Sequence, residues 1–243
     1  MGNPNLAASL VAAMLAFGGI GLSPFERWAY GADAGATRKF LAYGVVLLYL
    51  WVLTGMAVSI YGWIPLLILQ APTLPPIVAP LLVPVLVAFF VLALMPLLQS
   101  LRGLRWRQAY QAAIRREFTK IPGLVPNTAA ERAVWIVISL TAGICEEVLF
   151  RGFLIRFLHE SSLALPIAGA LAVSSVLFGL GHLYQGFKSL VTTTIAGLCF
   201  GLLFLLSGSL LPGIVLHALM DLQIAYVMRP IPASAAVGVT EMA

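Results

Sequence analysis

Apolar residues gather in seven runs along the chain: 6–22, 41–63, 77–98, 128–159, 163–184, 189–206 and 211–228. Most are close to the ~20 residues an α-helix needs to cross a bilayer core of about 30 Å. Short polar, glycine-rich or proline-rich connectors separate them. The pattern predicts an all-α membrane protein, a bundle of about seven transmembrane helices. In the hydrocarbon layer every backbone polar group must be satisfied within its own segment, which favours helices for such runs.

Local signals refine the seven elements. The first run has Gly18, Gly19 and Gly21 at its end. No Lys or Arg precedes it, so it is read as a retained helix rather than a cleaved leader. Pro72, Pro75 and Pro76 punctuate the turn after the second run, and Pro80, Pro84 and Pro96 interrupt the third. Between the third and fourth runs, Trp106, Tyr110, Ile114 and Phe118 recur every fourth residue among arginines. That spacing predicts an amphipathic helix lying on the membrane surface. Thr128-Ala129-Ala130-Glu131 has capping-box spacing and predicts the start of the fourth, longest helix. Gly197 and Gly201 in the sixth run permit close helix contact. Three regions result: 1–127, N-terminal spans with the basic interfacial segment; 128–228, the core that holds most of the intramembrane polar residues; and 229–243, a short flexible tail.

Composition agrees. Hydrophobic residues make up 61% of the 243 and charged residues only 9%, against about 25% charged in soluble domains. The net charge of +5 does not point to nucleic acid. The basic residues lie in connectors beside apolar runs, as membrane topology requires. Arg102, Arg105, Arg107, Arg115, Arg116 and Lys120 place the loop before the fourth run on the cytoplasmic side. Alternation then places Arg27, Arg38, Lys39, Lys188 and Arg229 there too, with only Arg156 dissenting. The N-terminus is expected outside and the C-terminus inside, in a multi-pass membrane protein. Cys145 and Cys199 form no CxxC pair and imply neither a disulfide framework nor a thiolate metal site.

Against this background the ionisable residues inside the runs stand out. The fourth run carries Glu146, Glu147 and Arg151. A single acidic residue at a membrane-helix centre costs roughly 3 kcal/mol even on lenient scales. Glu147 and Arg151 are four apart, acid first, the orientation that suits an ion pair on one helix face. Glu146 lies about 100° around an α-helix from Glu147 and is left to face a cavity. The fifth run carries Phe178 and His182, after glycines that allow close backbone approach. The seventh carries His217 and Asp221, also four apart, where Asp221 can accept from one imidazole nitrogen and fix the tautomer of the other. Each cluster alone is compatible with a purely structural polar contact. Together, a carboxylate, two imidazoles and an Asp can position and activate a water molecule.

In order and on separate spans, Glu146-Glu147 with Arg151, Phe178 with His182, and His217 with Asp221 match the motifs EExxxR, FxxxH and HxxxN/D. The chain thereby resembles the type II CAAX prenyl endopeptidase and bacteriocin-processing membrane protease family, over about 128–228. The resemblance implies a conical intramembrane cavity opening toward the cytoplasm. It implies Glu146 as the general base on water, assisted by His182, with His217 and Asp221 stabilising the oxyanion. Arg151 would pair with Glu147 and shape the site, and Phe178 would support it. One departure matters: many members have Asn where Asp221 stands, and an ionised Asp cannot donate to an oxyanion. Asp221 is therefore expected to orient His217.

No cofactor is expected. Zinc is the alternative, since a carboxylate and two imidazoles are a familiar set, but His159-Glu160-Ser161-Ser162-Leu163 lacks the second His of HExxH. The expected partners are the lipid bilayer and a peptide or protein substrate, a prenylated C-terminus being one option; nucleic acid is not among them. The GxSG serine and GxGD aspartyl signatures of other intramembrane proteases are absent from the sequence. The competing function is non-catalytic: an immunity or scaffold protein, or a small transporter using the same charges.

Overall fold

The computed structural model describes residues 4–21, 23–68, 74 and 76–231. Among them the regular elements are helical, apart from one isolated bridge between Ile68 and Ser209. The tail read as flexible lies, from residue 232, outside the described residues, as do Pro72 and Pro75.

Eleven α-helices follow in order: α1 (Pro4–Gly21), α2 (Ser23–Tyr30), α3 (Ala36–Tyr61), α4 (Trp63–Leu67), α5 (Ala79–Arg102), α6 (Leu104–Glu117), α7 (Ala129–Glu146), α8 (Ile155–Glu160), α9 (Ile167–Leu180), α10 (Phe187–Ser207) and α11 (Leu211–Val227). A π-helix, Glu147–Leu154, joins α7 to α8, so one continuous rod runs over Ala129–Glu160. Among the described residues four helices are long and apolar enough to cross a membrane: Ala36–Tyr61, Ala79–Arg102, Ala129–Glu160 and Phe187–Ser207. Three shorter apolar helices, Leu6–Ala16, Ile167–Leu180 and Leu211–Val227, fall within the remaining predicted runs.

The start of the long rod shows why its sequence folds as it does. Thr128 Oγ1 accepts from the Glu131 amide at 3.1 Å, and Glu131 Oε2 accepts from the Thr128 amide at 3.1 Å and the Asn127 amide at 2.7 Å. These bonds satisfy amides that a helix start leaves without partners. The same carboxylate takes Lys39 Nζ at 3.2 Å on its other oxygen. Lys39 thus continues α3 below its apolar run and ties the N-terminal helices to the core. Further along, the π-helix packs against α4. A Cβ on Gly152 would sit 2.6 Å from the Leu66 carbonyl oxygen, so only glycine lets α4 lie against it.

Three apolar clusters hold the bundle. The largest joins α1 and α3 to the π-helix and α9 through Val11, Leu53, Leu149, Phe153 and Ala170. A second packs Tyr30, Tyr43, Phe118, Ile121 and Trp135 at the end bearing the basic connector. There α6 carries Trp106, Tyr110 and Ile114 of the predicted face, and Phe118 follows directly at its end. Trp106 is exposed, whereas Ile114 packs against the cluster and Phe118 is buried in it, so the face turns into the bundle along its length. The third is small: α5 meets α10 through Leu86, Phe90 and Phe200, and most of α5 faces outward.

Helices α9 and α10 approach most closely at Gly179, where an added Cβ would collide with the Thr194 side chain and lie 2.7 Å from the Leu190 carbonyl oxygen. Gly179→Ala should therefore lower stability by about 1–3 kcal/mol through overpacking. Gly55→Ala in α3, with open space at that position, should be neutral or slightly stabilising. Thermal unfolding of the two purified variants in detergent checks the contrast.

Candidate active site

The site lies where the π-helix, the end of α9, α10 and α11 face one another. Its deepest part is a charge cluster. Arg151, 1% exposed, places Nη1 2.9 Å from Oε1 of Glu147, which is fully buried. The contact is an ion pair without hydrogen-bond alignment. The guanidinium lies over the Phe178 ring, 4.3 Å from its centroid, and 5.3 Å from that of Phe200. Aromatic faces attract a desolvated cation by up to about 2 kcal/mol, which helps this arginine remain in an apolar interior.

Glu147 has a second duty. Nδ1 of His217 lies 2.8 Å from its Oε1. With the carboxylate ionised against Arg151, the imidazole must be the donor. Nδ1 therefore carries a proton, and Nε2 is turned toward Glu146 Oε2 at 3.7 Å and Asp221 Oδ2 at 3.9 Å. Phe200 stacks on the His217 ring with centroids 5.1 Å apart, fixing its plane. Asp221 is expected to orient His217, and the structure adds a nearer carboxylate, that of Glu147. The carboxylate on Nδ1 comes from the neighbouring helix, and Asp221 stands beyond hydrogen-bond length from Nε2. Spacing four apart on α11 brought the two residues to one face, but tertiary packing supplied a nearer acceptor.

His182 lies just past the end of α9, at the entry to a 3-10 turn, Leu183–Gln185. Helix α9 has 14 residues, so it spans about 21 Å against a bilayer core of about 30 Å. The predicted run 163–184 is therefore not all helix, and His182 falls in the turn that follows it. His182 Nδ1 lies 2.9 Å from the Phe178 carbonyl oxygen. A carbonyl only accepts, so Nδ1 donates and Nε2 of the neutral ring keeps its lone pair. Irregular backbone among apolar helices is tolerated where it lines a cavity, and this turn does.

The cavity has a volume of about 240 Å³, with Glu146, His182, His217 and Asp221 all in its wall beside Phe178 and Phe200. It extends to Tyr30, Phe118 and Leu124, at the end of the bundle that bears the basic connector. A second cavity of about 160 Å³ meets Glu146, Phe150, Phe178 and His182 from the side of α1 and α3, where Leu15, Val46, Tyr49 and Leu50 line it. Glu146 and His182 thus stand in the partition between a mixed chamber and a more apolar one. The seven residues singled out from sequence converge here: four line the main cavity with Phe178, and Glu147 and Arg151 lie behind His217. Three contributions were missed: Glu147 as the acceptor for His217, Phe200 as its stacking partner, and Tyr184, which lines both chambers. Glu147 carried a signal, its place beside Glu146. Phe200 is one aromatic among many, and only the fold selects it.

Among the described residues no three His, Cys, Asp or Glu side chains are arranged to hold a metal ion. Nδ1 of each site histidine is engaged by an acceptor.

Residues 128–223 match the family model described as type II CAAX prenyl endopeptidase Rce1-like. The match covers the segment that carries all three motifs and bears out the resemblance drawn from them. With the long apolar helices it fits an integral membrane protein and, at family level, an intramembrane protease of CAAX type. No curated protein and no solved structure matches the chain.

Removing one member of a buried pair leaves an uncompensated charge, at a cost of about 3–5 kcal/mol. Arg151→Met should destabilise the detergent-solubilised protein by that order, and Glu147→Gln/Arg151→Met should recover most of it. Thermal unfolding of the two variants measures the difference.

Proposed function

We propose that this Rce1-like domain is the catalytic core of an intramembrane endopeptidase that hydrolyses a peptide bond with water activated by Glu146. The observation that carries the proposal is the main cavity, whose wall brings Glu146, His182, His217 and Asp221 together from three different parts of the chain. The helices cross the membrane seven times, with the basic connector on the cytoplasmic side of a bacterial inner membrane. The two chambers form the intramembrane cavity that admits the substrate from that side.

In this mechanism a water molecule sits between the Glu146 carboxylate and Nε2 of His182. Nε2 accepts one of its protons as a hydrogen bond, because Nδ1 is committed to the Phe178 carbonyl. Glu146 takes the other proton as the water oxygen bonds to the scissile carbonyl carbon. The carbonyl oxygen becomes an oxyanion and accepts from Nε2–H of His217. That donation requires the ring to carry both protons. Glu147, Glu146 and Asp221 surround it with the counter-charge. A preorganised donor of this kind is worth about 3 kcal/mol at the developing oxyanion. Collapse of the tetrahedral intermediate breaks the C–N bond, and Glu146 returns its proton to the leaving amine. Asp221 contributes as a charge beside His217 and as a substrate contact. Glu147 and Arg151 position His217 and do not touch the reacting atoms.

The substrate is a peptide or protein segment reaching the membrane, with a prenylated C-terminus as one candidate. No step needs a metal ion.

Glu146→Gln should abolish cleavage of a membrane-tethered reporter peptide while the variant purifies and unfolds like the parent protein. Cleavage at the parent rate by purified Glu146→Gln would overturn the assignment of the base. Prolonged exposure to a strong zinc chelator should leave the parent activity unchanged. A loss restored by added zinc would replace this mechanism with a metal-assisted one.

A further inference from the structure

Outside the catalytic cavities, the start of α7 and the end of α11 run side by side at the end bearing the basic connector. They enclose a surface groove of about 300 Å³. Two cations flank its mouth. Arg132, one turn into α7, has one guanidinium nitrogen on the Asn127 carbonyl at 3.0 Å. Arg229, just past α11, lies over the Tyr226 ring at 5.0 Å. Among the described residues neither arginine has a carboxylate within ion-pair distance.

The remaining walls differ from the mouth. Ala129, Ala133 and Ala225 keep the groove open at its centre, and Ile136 and Leu222 continue it toward the middle of the helices. Ile136, Val137 and Leu140 on that side of α7 are exposed apolar residues, as a lipid-facing surface requires. The end of α11 is held in place from the other side. Gln111 of α6 donates to the carbonyls of Val227 at 2.7 Å and Arg229 at 2.8 Å, and Arg107 donates to that of Pro230 at 3.2 Å. The backbone that carries Arg229 is thus fixed against α6. Two forked donors at the mouth and an apolar channel below them match a phosphate with acyl chains attached.

We propose that this groove binds the phosphate of an anionic phospholipid, with Arg132 and Arg229 as its ligands and the Ile136–Leu222 wall against an acyl chain. The lipid would bridge α7, which carries Glu146, and α11, which carries His217.

The test uses the full chain, purified and reconstituted in nanodiscs of equal phosphatidylglycerol and phosphatidylcholine, with retained lipid read by native mass spectrometry. The parent protein should retain phosphatidylglycerol over phosphatidylcholine by about tenfold or more, as two juxtamembrane cations predict. Arg132→Gln/Arg229→Gln should remove the preference, while Arg105→Gln/Arg115→Gln, which removes two charges from α6, should keep it. Equal losses in the two double variants would overturn the proposal, because they would mean a diffuse surface field. Displacement of the retained lipid by excess inorganic phosphate would also overturn it, in favour of a free-anion site. If the Arg132-containing variant fails to fold, Arg229→Gln alone should lower the preference roughly threefold, and an unchanged preference there would refute the site.

Discussion

The structure depends on keeping one arginine in a place where water cannot reach it. Arg151 is held by a single carboxylate and the faces of two phenylalanines, Phe178 from α9 and Phe200 from α10. Those same groups set the geometry around it. Glu147, ionised by its neighbour, becomes the acceptor that orients His217, and Phe200 stacks on the imidazole it helps to place. Phe178 lies under the guanidinium, offers its carbonyl to His182 and lines both chambers. The charge cluster therefore fixes the direction of two histidines from opposite sides, and the desolvation it must overcome is offset by contacts that also build the site.

Much of this was legible in the sequence. Apolar runs of bilayer length located the helices, because backbone satisfaction in hydrocarbon leaves few alternatives. Ionisable residues within those runs located the site, because hydrocarbon expels charges that have no partner. The capping signal at Thr128 was legible too, since it is a contact among neighbours in sequence. What was not legible depends on distance along the chain. Glu147 and His217 are separated by 70 positions, and no spacing rule reports their meeting. The π-helix was also hidden. It belongs with the approach of the Leu66 carbonyl to Gly152, a packing event between distant segments. The shortness of α9 escaped because 163–184 stays apolar beyond the point where the helix stops.

The N-terminal helices are more than membrane ballast. Lys39 of α3 reaches the carboxylate that starts the α7 rod, and Tyr43 donates to the Leu124 carbonyl at 3.4 Å. Leu15, Val46 and Leu50 supply the wall of the apolar chamber beside Glu146. A matched segment that begins at residue 128 therefore lacks one side of its own cavity, and the first three helices complete it.

The 14-residue α9 has a consequence for how His182 is carried. The helix stops at Leu180, and the 3-10 turn Leu183–Gln185 follows. The position of the imidazole then rests on its bond to the Phe178 carbonyl and on the rings of Phe178 and Tyr184 on either side of it. A change in the length of this turn would displace a histidine of the cavity wall while leaving every helix of the bundle intact.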